Sequence, residues 1–311
     1  MKALVTGGNG QIGSHIIEEL LSVGCKIVNI DNLVTGRKIH LKKNSGLTNH
    51  FCSIDNYELL DDVSRKFKPE IVIHCAASYK DPNDWISDIK TNCLGTANLV
   101  QISKKYKIKR FIYFQTALCY GLKPIENPIT LNHPINPNGS SYAISKTCGE
   151  QYIQNSGLNY VTFRLANVIG PRNVSGPLPI FYNRLKNNKK CFVTQAKRDF
   201  VYVKDLVKVV LKAIENTGNG SYHFSSGNDV SILELYNSVV KHLKLNNYPQ
   251  PDILDILPDD AESILLDPKK TFEDFGNFKF TPLDKIVEDA IIYFEKYGIK
   301  EEGFTHLKIK K

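Results

Sequence analysis

Short apolar runs alternate with more polar, helix-forming stretches through the first half of the chain. Lys2–Thr6, Lys26–Ile30, Asn49–Ile54, Ile71–Ala76, Arg110–Thr116 and Tyr160–Asn167 read as strands. Between them, Ser14–Val23, Tyr57–Lys66, Asp88–Tyr106 and Ser140–Asn155 read as helices, and a loop rich in Pro and Asn spans Lys123–Gly139. Strands alternating with helices predict an α/β protein with a parallel, doubly wound sheet. Ligands of such sheets sit beyond the carboxyl ends of the strands. Gly7, Asp31, Ala76, Thr116 and Asn167 stand at those ends.

After Asn167 the pattern loosens. Gly170-Pro171-Arg172 and Gly176-Pro177-Leu178-Pro179 interrupt structure. Phe181–Asn187, Asp205–Asn216, Ile232–Leu243 and Pro282–Tyr297 read as helices, with short strands at Phe192-Val193 and Phe200–Val203. The expected division is a cofactor half over 1–167 and a smaller α/β substrate domain over 168–311. The segment near 200–225 is a candidate to return to the first half. The Lys308–Lys311 end is expected to fray.

Composition narrows the class. With 42% hydrophobic and 23% charged residues in 311, the chain has the balance of a soluble globular protein. No apolar run reaches the roughly 18 residues of a membrane span. The first strand begins at Met1, so no signal peptide and a cytoplasmic location are expected. Seven cysteines contain no CxxC pair, which argues against zinc or redox motifs, and no metal site is expected. The net charge of +8 comes mostly from dispersed lysines without an aromatic-basic array, so neither nucleic acid nor membrane is an expected partner. Arginine is scarce, which draws attention to Arg172 and Arg198.

Three places carry chemistry. Gly7-Gly8-Asn9-Gly10-Gln11-Ile12-Gly13 joins the first strand to the first helix. Its glycines allow a tight turn and close backbone approach, and the helix N-terminus then faces a diphosphate. Asp31 ends the second strand, where a carboxylate can bind adenosine ribose hydroxyls and repel a 2′-phosphate. That favours NAD over NADP; a plain strand-end turn is the alternative, and Arg37 nearby leaves NADP open. Tyr142 and Lys146 leave one face of a helix a turn apart. A lysine ammonium there can lower the phenol's pKa and make it a proton acceptor and donor. A core Tyr with a solvated Lys is the bland alternative.

Taken in order, Thr6–Gly13, Asp31–Gly36, Thr116–Gly121, Tyr142–Lys146 and Arg198–Val203 resemble the extended short-chain dehydrogenase/reductases, the NAD-dependent nucleotide-sugar epimerase/dehydratase family. Ala76–Pro82, Gln115–Gly121 and Arg164–Val168 more narrowly resemble bacterial epimerases of O-antigen biosynthesis. The resemblance implies a Rossmann half holding NAD through Gly7, Gly10, Gln11, Ile12, Asp31, Asn32, Gly36, Ser53, Ile54, Ala76, Ala77, Ser78, Asn92, Tyr142, Lys146 and Ala166. It implies catalysis by Thr116, Tyr142 and Lys146 on a nucleotide sugar, by way of a 4-keto intermediate. It also implies a homodimer that pairs the Asp88–Tyr106 and Ser140–Asn155 helices.

Departures from the family pattern sharpen the expectation. Dehydratases and decarboxylases carry an acid one or two positions past the Ser/Thr; here stand Ala117 and Leu118. That points to a 4-epimerase, with dehydratase, decarboxylase or reductase, and a non-enzymatic NAD(P) sensor, as the alternatives. Ser53 replaces the usual Asp near the adenine, and Ala166 an aromatic residue beside Asn167. The usual late diphosphate Arg is missing from Leu257-Pro258-Asp259-Asp260. Arg198 fits the first clamp position, and Arg172 is the candidate for the second; a surface Arg after a turn is its alternative. Lys80, with Asn167, is expected at the sugar, where Lys80 would suit a uronate, or else lie solvated.

Overall fold

The apolar runs become strands because each is buried on both faces. In the computed structural model, which describes residues 1–256 and 260–299, they are β1 (Lys2–Thr6), β2 (Lys26–Ile30), β3 (Leu47–His50), β4 (Ile71–His74), β5 (Arg110–Thr116) and β6 (Tyr160–Leu165). The expected third strand, Asn49–Ile54, sits earlier in the chain. Leu47–His50 pairs with Ile27–Ile30, and the Asp31 N–H donates to the His50 carbonyl at the end of the ladder. Ser53 and Ile54 therefore lie in the loop beyond the strand. Shorter strands follow: β7 (Asn167–Ile169), β8 (Phe192–Thr194), β9 (Lys197–Arg198) and β10 (Phe200–Tyr202). β11 (Gly220–Phe224) then pairs in parallel with β6. The seven-stranded sheet runs β11-β6-β5-β4-β1-β2-β3, every pair parallel. Strands 3-2-1-4-5-6 are in doubly wound order, whose crevice opens where the order reverses beside β1.

Helices α1 (Gln11–Ser22), α2 (Tyr57–Phe67), α3 (Trp85–Asp88), α4 (Thr96–Lys105), α5 (Ser141–Gln154), α6 (Pro177–Lys186) and α7 (Val203–Ile214) complete the main layers. Ile16, Ile17 and Leu20 of α1 and Leu206, Val209 and Val210 of α7 pack one sheet face. Leu60 of α2, Leu99 and Ile102 of α4, and Ile153 of α5 pack the other. α7 and β11 thus belong to the sheet half.

The expected Asp88–Tyr106 helix is interrupted. Between α3 and α4, Ile89–Gly95 forms a π-helical turn. Thr96 Oγ1 donates back to the Asn92 carbonyl at 2.7 Å, and Gly95 leaves room for Ile54. Such turns recur at functional sites; this one carries Asn92.

The smaller half adds α8 (Ile232–Leu243) and α10 (Leu283–Tyr297), with β12 (Val230–Ser231), β13 (Asp252–Leu254) and β14 (Ser263–Ile264), while α9 (Lys269–Phe275) packs back on β11, where Phe275 joins the sheet core. Phe181, Leu235, Tyr236, Val287 and Phe294 build the smaller half's own core from α6, α8 and α10. A Ser231/Glu234 capping box starts α8. Among the described residues, no helix is long and apolar enough to cross a membrane. Leu257, Pro258 and Asp259, and the Lys308–Lys311 end, lie outside the described residues.

Candidate active site

A cleft of about 470 Å³ crosses the carboxyl ends of the sheet strands and runs under the smaller half. Its floor begins at the β1–α1 turn. Gly7 has φ 68°, and a Cβ there would lie 2.6 Å from the Ala76 nitrogen. Glycine therefore lets the loop after β4 approach. Gly10 is the N-cap of α1 and provides no side-chain cap. The first N–H groups of α1, from Gln11 and Ile12, are left for an anion at the cleft. Asp31 is 7% exposed. Its Oδ2 accepts the Asn9 N–H at 2.8 Å and its Oδ1 the Leu33 N–H at 2.7 Å. These bonds fix the carboxylate at the end of β2. Arg37 donates to the carbonyls of Tyr297 and Gly298 at 2.8 and 2.7 Å, so its guanidinium closes the end of α10.

Asn32, Ser53, Ile54, Ala76, Ala77 and Ser78 line the same cleft, and Asn32 Nδ2 donates to Ser53 Oγ at 3.1 Å. Gly36 and Asn92 do not line it. Gly36 packs against Asn9 and Asp31. Asn92 is buried behind Ser78: its Oδ1 accepts the Ser78 N–H at 2.9 Å. Its Nδ2 donates to the Ser78 carbonyl and Ser145 Oγ, both at 3.0 Å. Asn92 thus ties the loop after β4 to α5. A glycine floor, an uncapped helix start and a fixed carboxylate fit a dinucleotide with an unphosphorylated adenosine ribose.

The structure brings Thr116, Tyr142 and Lys146 to the middle of the cleft. Thr116 ends β5 and its Oγ1 accepts the Leu118 N–H at 3.2 Å, which starts a short 3₁₀ turn. Ser140 caps α5 by accepting the Ala143 N–H at 3.1 Å, which sets the helix phase for Tyr142 and Lys146. The Tyr142 ring meets Tyr79 edge-on at 6.3 Å. Lys146 is 3% exposed, and its Nζ lies 3.9 Å from the Tyr113 ring centroid. That cation–π seat was not legible in the sequence; Tyr113 sits mid-strand among apolar residues. Ala166 and Asn167 also line the cleft.

Electrostatics correct the expectation that Lys146 lowers the Tyr142 phenol. Burial pushes Tyr142 up instead, with Tyr79 and Asp88 adding to it. Burial also draws Lys146 down to about 7, against the pull of Cys75 and Glu150. Desolvation is the first cause for each group.

The basic residues at the substrate end divide. Lys80 and Arg198 line the cleft. Arg198 pairs with Asp260 and donates to the Ala261 carbonyl at 2.9 Å. Arg172 lies elsewhere: it has φ 67° and pairs with Glu18 of α1 at 2.6 Å. Arg184, on α6, reaches the cleft where Arg172 does not. It lines the cleft, and its Nε and Nη2 bond to the Lys190 carbonyl at 2.7 and 2.5 Å. Its scarcity in the sequence was a signal, but its distance from every motif hid it. Ala117 and Leu118 line the cleft beside Thr116. Among the described lining residues the carboxylates are Asp31, held by backbone N–H groups, and Asp260, paired with Arg198.

Comparisons with known proteins agree with this geometry. Residues 3–225 match the NAD dependent epimerase/dehydratase family. The structure of the Bordetella bronchiseptica enzyme WbmH in complex with NAD⁺ is similar at TM-score 0.94 and 56% identity, covering 96% of this chain and 99% of that one. WbmG from the same organism, in complex with NAD and UDP, is similar at TM-score 0.89 and 38% identity, covering 98% and 97%. A Methanocaldococcus jannaschii protein described as a putative UDP-glucose 4-epimerase is 33% identical over 253 residues, 77% of this chain and 81% of that protein.

Proposed function

The chain belongs to the NAD-dependent epimerase/dehydratase family, and from that premise we propose that it inverts C4 of a UDP-sugar with NAD as a bound cofactor. The observation that carries 4-epimerisation is the cleft beside Tyr142. Thr116, Ala117 and Leu118 face it, and neither described carboxylate of the lining is free to protonate a leaving group there. Elimination needs such an acid; a reversible oxidation does not.

The α1 N-terminus, Asp31 and Lys146 would hold the dinucleotide, and Ser53 and Ile54 its adenine. Bound NAD⁺ supplies a hydride acceptor for C4, returns the hydride to the other face of the 4-keto sugar, and is regenerated. Tyr142, in its phenolate form, takes the 4-hydroxyl proton and gives it back. Thr116 donates a hydrogen bond to the same oxygen as its charge grows. Lys146, when charged, offsets the negative charge of the phenolate. Arg198 and Arg184 bind the nucleotide diphosphate, and Asn167 and Lys80 face the sugar. Lys80 favours an acidic hexose, a uronate or its N-acetylated form. The motif resemblance supports a role in surface polysaccharide synthesis.

The test is a panel of UDP-hexoses, UDP-N-acetylhexosamines and their uronic acids, read by proton NMR. C4 epimers without accumulating NADH are expected, fastest for an acidic sugar. Water elimination or net oxidation would replace the epimerase reading with a dehydratase or dehydrogenase. Bound NAD with no turnover of any sugar would favour a sensor.

Self-association is part of the proposal. Trp85, Ile86, Ile89 and Leu94 expose apolar side chains, as do Ile144 and Tyr152 on α5. These neighbouring segments form an apolar surface suited to a second copy. A monomer mass in light scattering would remove the idea.

A further inference from the structure

Beside the reacting side chains lies a buried charged cluster that the chemistry above leaves unused. Glu150 stands one turn past Lys146 on α5 and is 2% exposed; Arg164 of β6 is 5% exposed. Arg164 Nε donates to Glu150 Oε1 and Oε2 at 3.1 and 3.3 Å. Arg164 Nη1 donates to the Tyr120 hydroxyl at 2.6 Å, and Ser221 Oγ donates to Glu150 Oε1 at 3.1 Å. From the other side, Gln115 Nε2 donates to Glu150 Oε2 at 3.2 Å. Gln115 Oε1 in turn accepts the backbone N–H of Thr116 at 2.8 Å. One carboxylate, through one carboxamide, links Thr116 on β5 to the helix carrying Tyr142 and Lys146.

We propose that Glu150 is a positioning residue for the reaction: it holds Thr116 in register with Tyr142 and Lys146, and it places a carboxylate one helical turn from the Lys146 amine. The proposal rests on the epimerase reading above.

Stability alone accounts poorly for the cluster. A buried ion pair loses the hydration of both partners, and an apolar pair of similar volume often stabilises as well or better. An apolar pair cannot orient the Gln115 carboxamide. Without Glu150 that side chain keeps only a long 3.5 Å bond to Thr147 Oγ1, and the acceptor of the Thr116 N–H is held less firmly. Small misplacements of reacting groups cost large factors in rate.

The charge argument follows from what surrounds Lys146. His74 and Cys75 approach from β4 and the loop after it, Tyr113 from β5, and Tyr142 and Glu150 from its own helix. Burial keeps the Cys75 thiol and the Tyr113 phenol protonated and His74 neutral. Glu150, held by the Arg164 guanidinium, is the carboxylate among them. It opposes the burial that draws Lys146 towards the neutral amine.

Two substitutions in the NAD-loaded enzyme separate the two roles. E150Q removes the charge and keeps the side-chain shape. Its alkaline limb of kcat should move to lower pH, with about a tenfold loss of kcat at pH 8 and KM within about twofold. Q115M leaves the charge and removes the link. It should lose about tenfold or more in kcat with the limb unmoved. Where E150Q does not fold, E150Q/R164M removes the stranded guanidinium and carries the same expectation. Titration of the Lys146 Cε resonance by carbon-13 NMR reads the charge without turnover. A lower midpoint in E150Q supports the electrostatic role even if no sugar of the panel reacts. An unmoved midpoint in E150Q, or wild-type kcat in Q115M, overturns the proposal.

Discussion

Replacing Thr116 with valine tests whether its hydroxyl acts in the reaction or only caps a turn. The backbone at Thr116 is extended, with φ −102° and ψ 148°, so another β-branched residue fits it. Valine keeps the shape and removes two interactions. The first is structural: Oγ1 no longer accepts the Leu118 N–H, now at 3.2 Å. Losing a cap of this kind costs about 1 kcal/mol, or about 2 °C of melting temperature in a chain of this size. The second is chemical. The hydroxyl proton, not used in the cap, donates to the sugar oxygen that gains charge in the transition state. A hydrogen bond to a charged group contributes about 1.5–3 kcal/mol, or about ten- to hundredfold in rate. The loss should fall on kcat, with KM little changed, because the ground-state hydroxyl gains less from the bond. T116S should recover most of the rate. Initial rates by proton NMR, beside thermal melts, separate the two effects. Turnover of T116V within twofold of wild type would remove Thr116 from the mechanism. Y142F sets the lower bound for the series: turnover is lost while NAD stays bound.

Two further predictions follow from the charges. Lys146 is held near 7 against an ordinary value of 10.5, so the unfolded chain binds its proton across that interval and the folded chain does not. Its contribution to stability therefore rises from about pH 7 towards 10.5. K146M should be inactive yet melt higher than wild type near neutral pH, with the advantage shrinking by pH 9; a constant offset at both pH values would refute the burial argument. Arg184 and Arg172 should separate as well. R184M should weaken nucleotide-sugar binding about tenfold, the range for losing one charged hydrogen bond, with kcat held. R172A, whose mostly buried guanidinium pairs with Glu18 away from the cleft, should leave that affinity unaltered. Equal effects of the two on KM would refute the assignment.

The chain's local signals carried much of the fold. The βα alternation, the glycine turn, the Ser140 cap and the Tyr142–Lys146 spacing are all set within a few residues. Each therefore appears in the sequence as a period or a motif. Gly7 and Asp31 were readable for the same reason: each acts at its own strand end. Boundaries were less legible. β3 begins two residues earlier than its apolar pattern suggests, because pairing with β2 decides which residues enter the ladder. The long helix after β4 hid its π-helical turn, which depends on packing between Gly95 and Ile54.

Contacts distant in sequence were beyond any local pattern. Residue separations of more than a hundred bring Arg110 to the Ala213 carbonyl and Tyr120 to His223. Burial then set the protonation that residue identity alone could not. The Tyr142–Lys146 spacing suggested a lowered phenol; desolvation of the phenol at the cleft raised it. The cation that joins Arg198 in the cleft is likewise a matter of which helix packs there. Arg172 sits closer to the motifs along the chain, but α6 delivers Arg184, because its Phe181 and Leu185 face are anchored in the smaller core. Sequence spacing dictates what neighbours on one element can do. Which elements meet, and how much water remains between them, is settled only when the whole chain has packed.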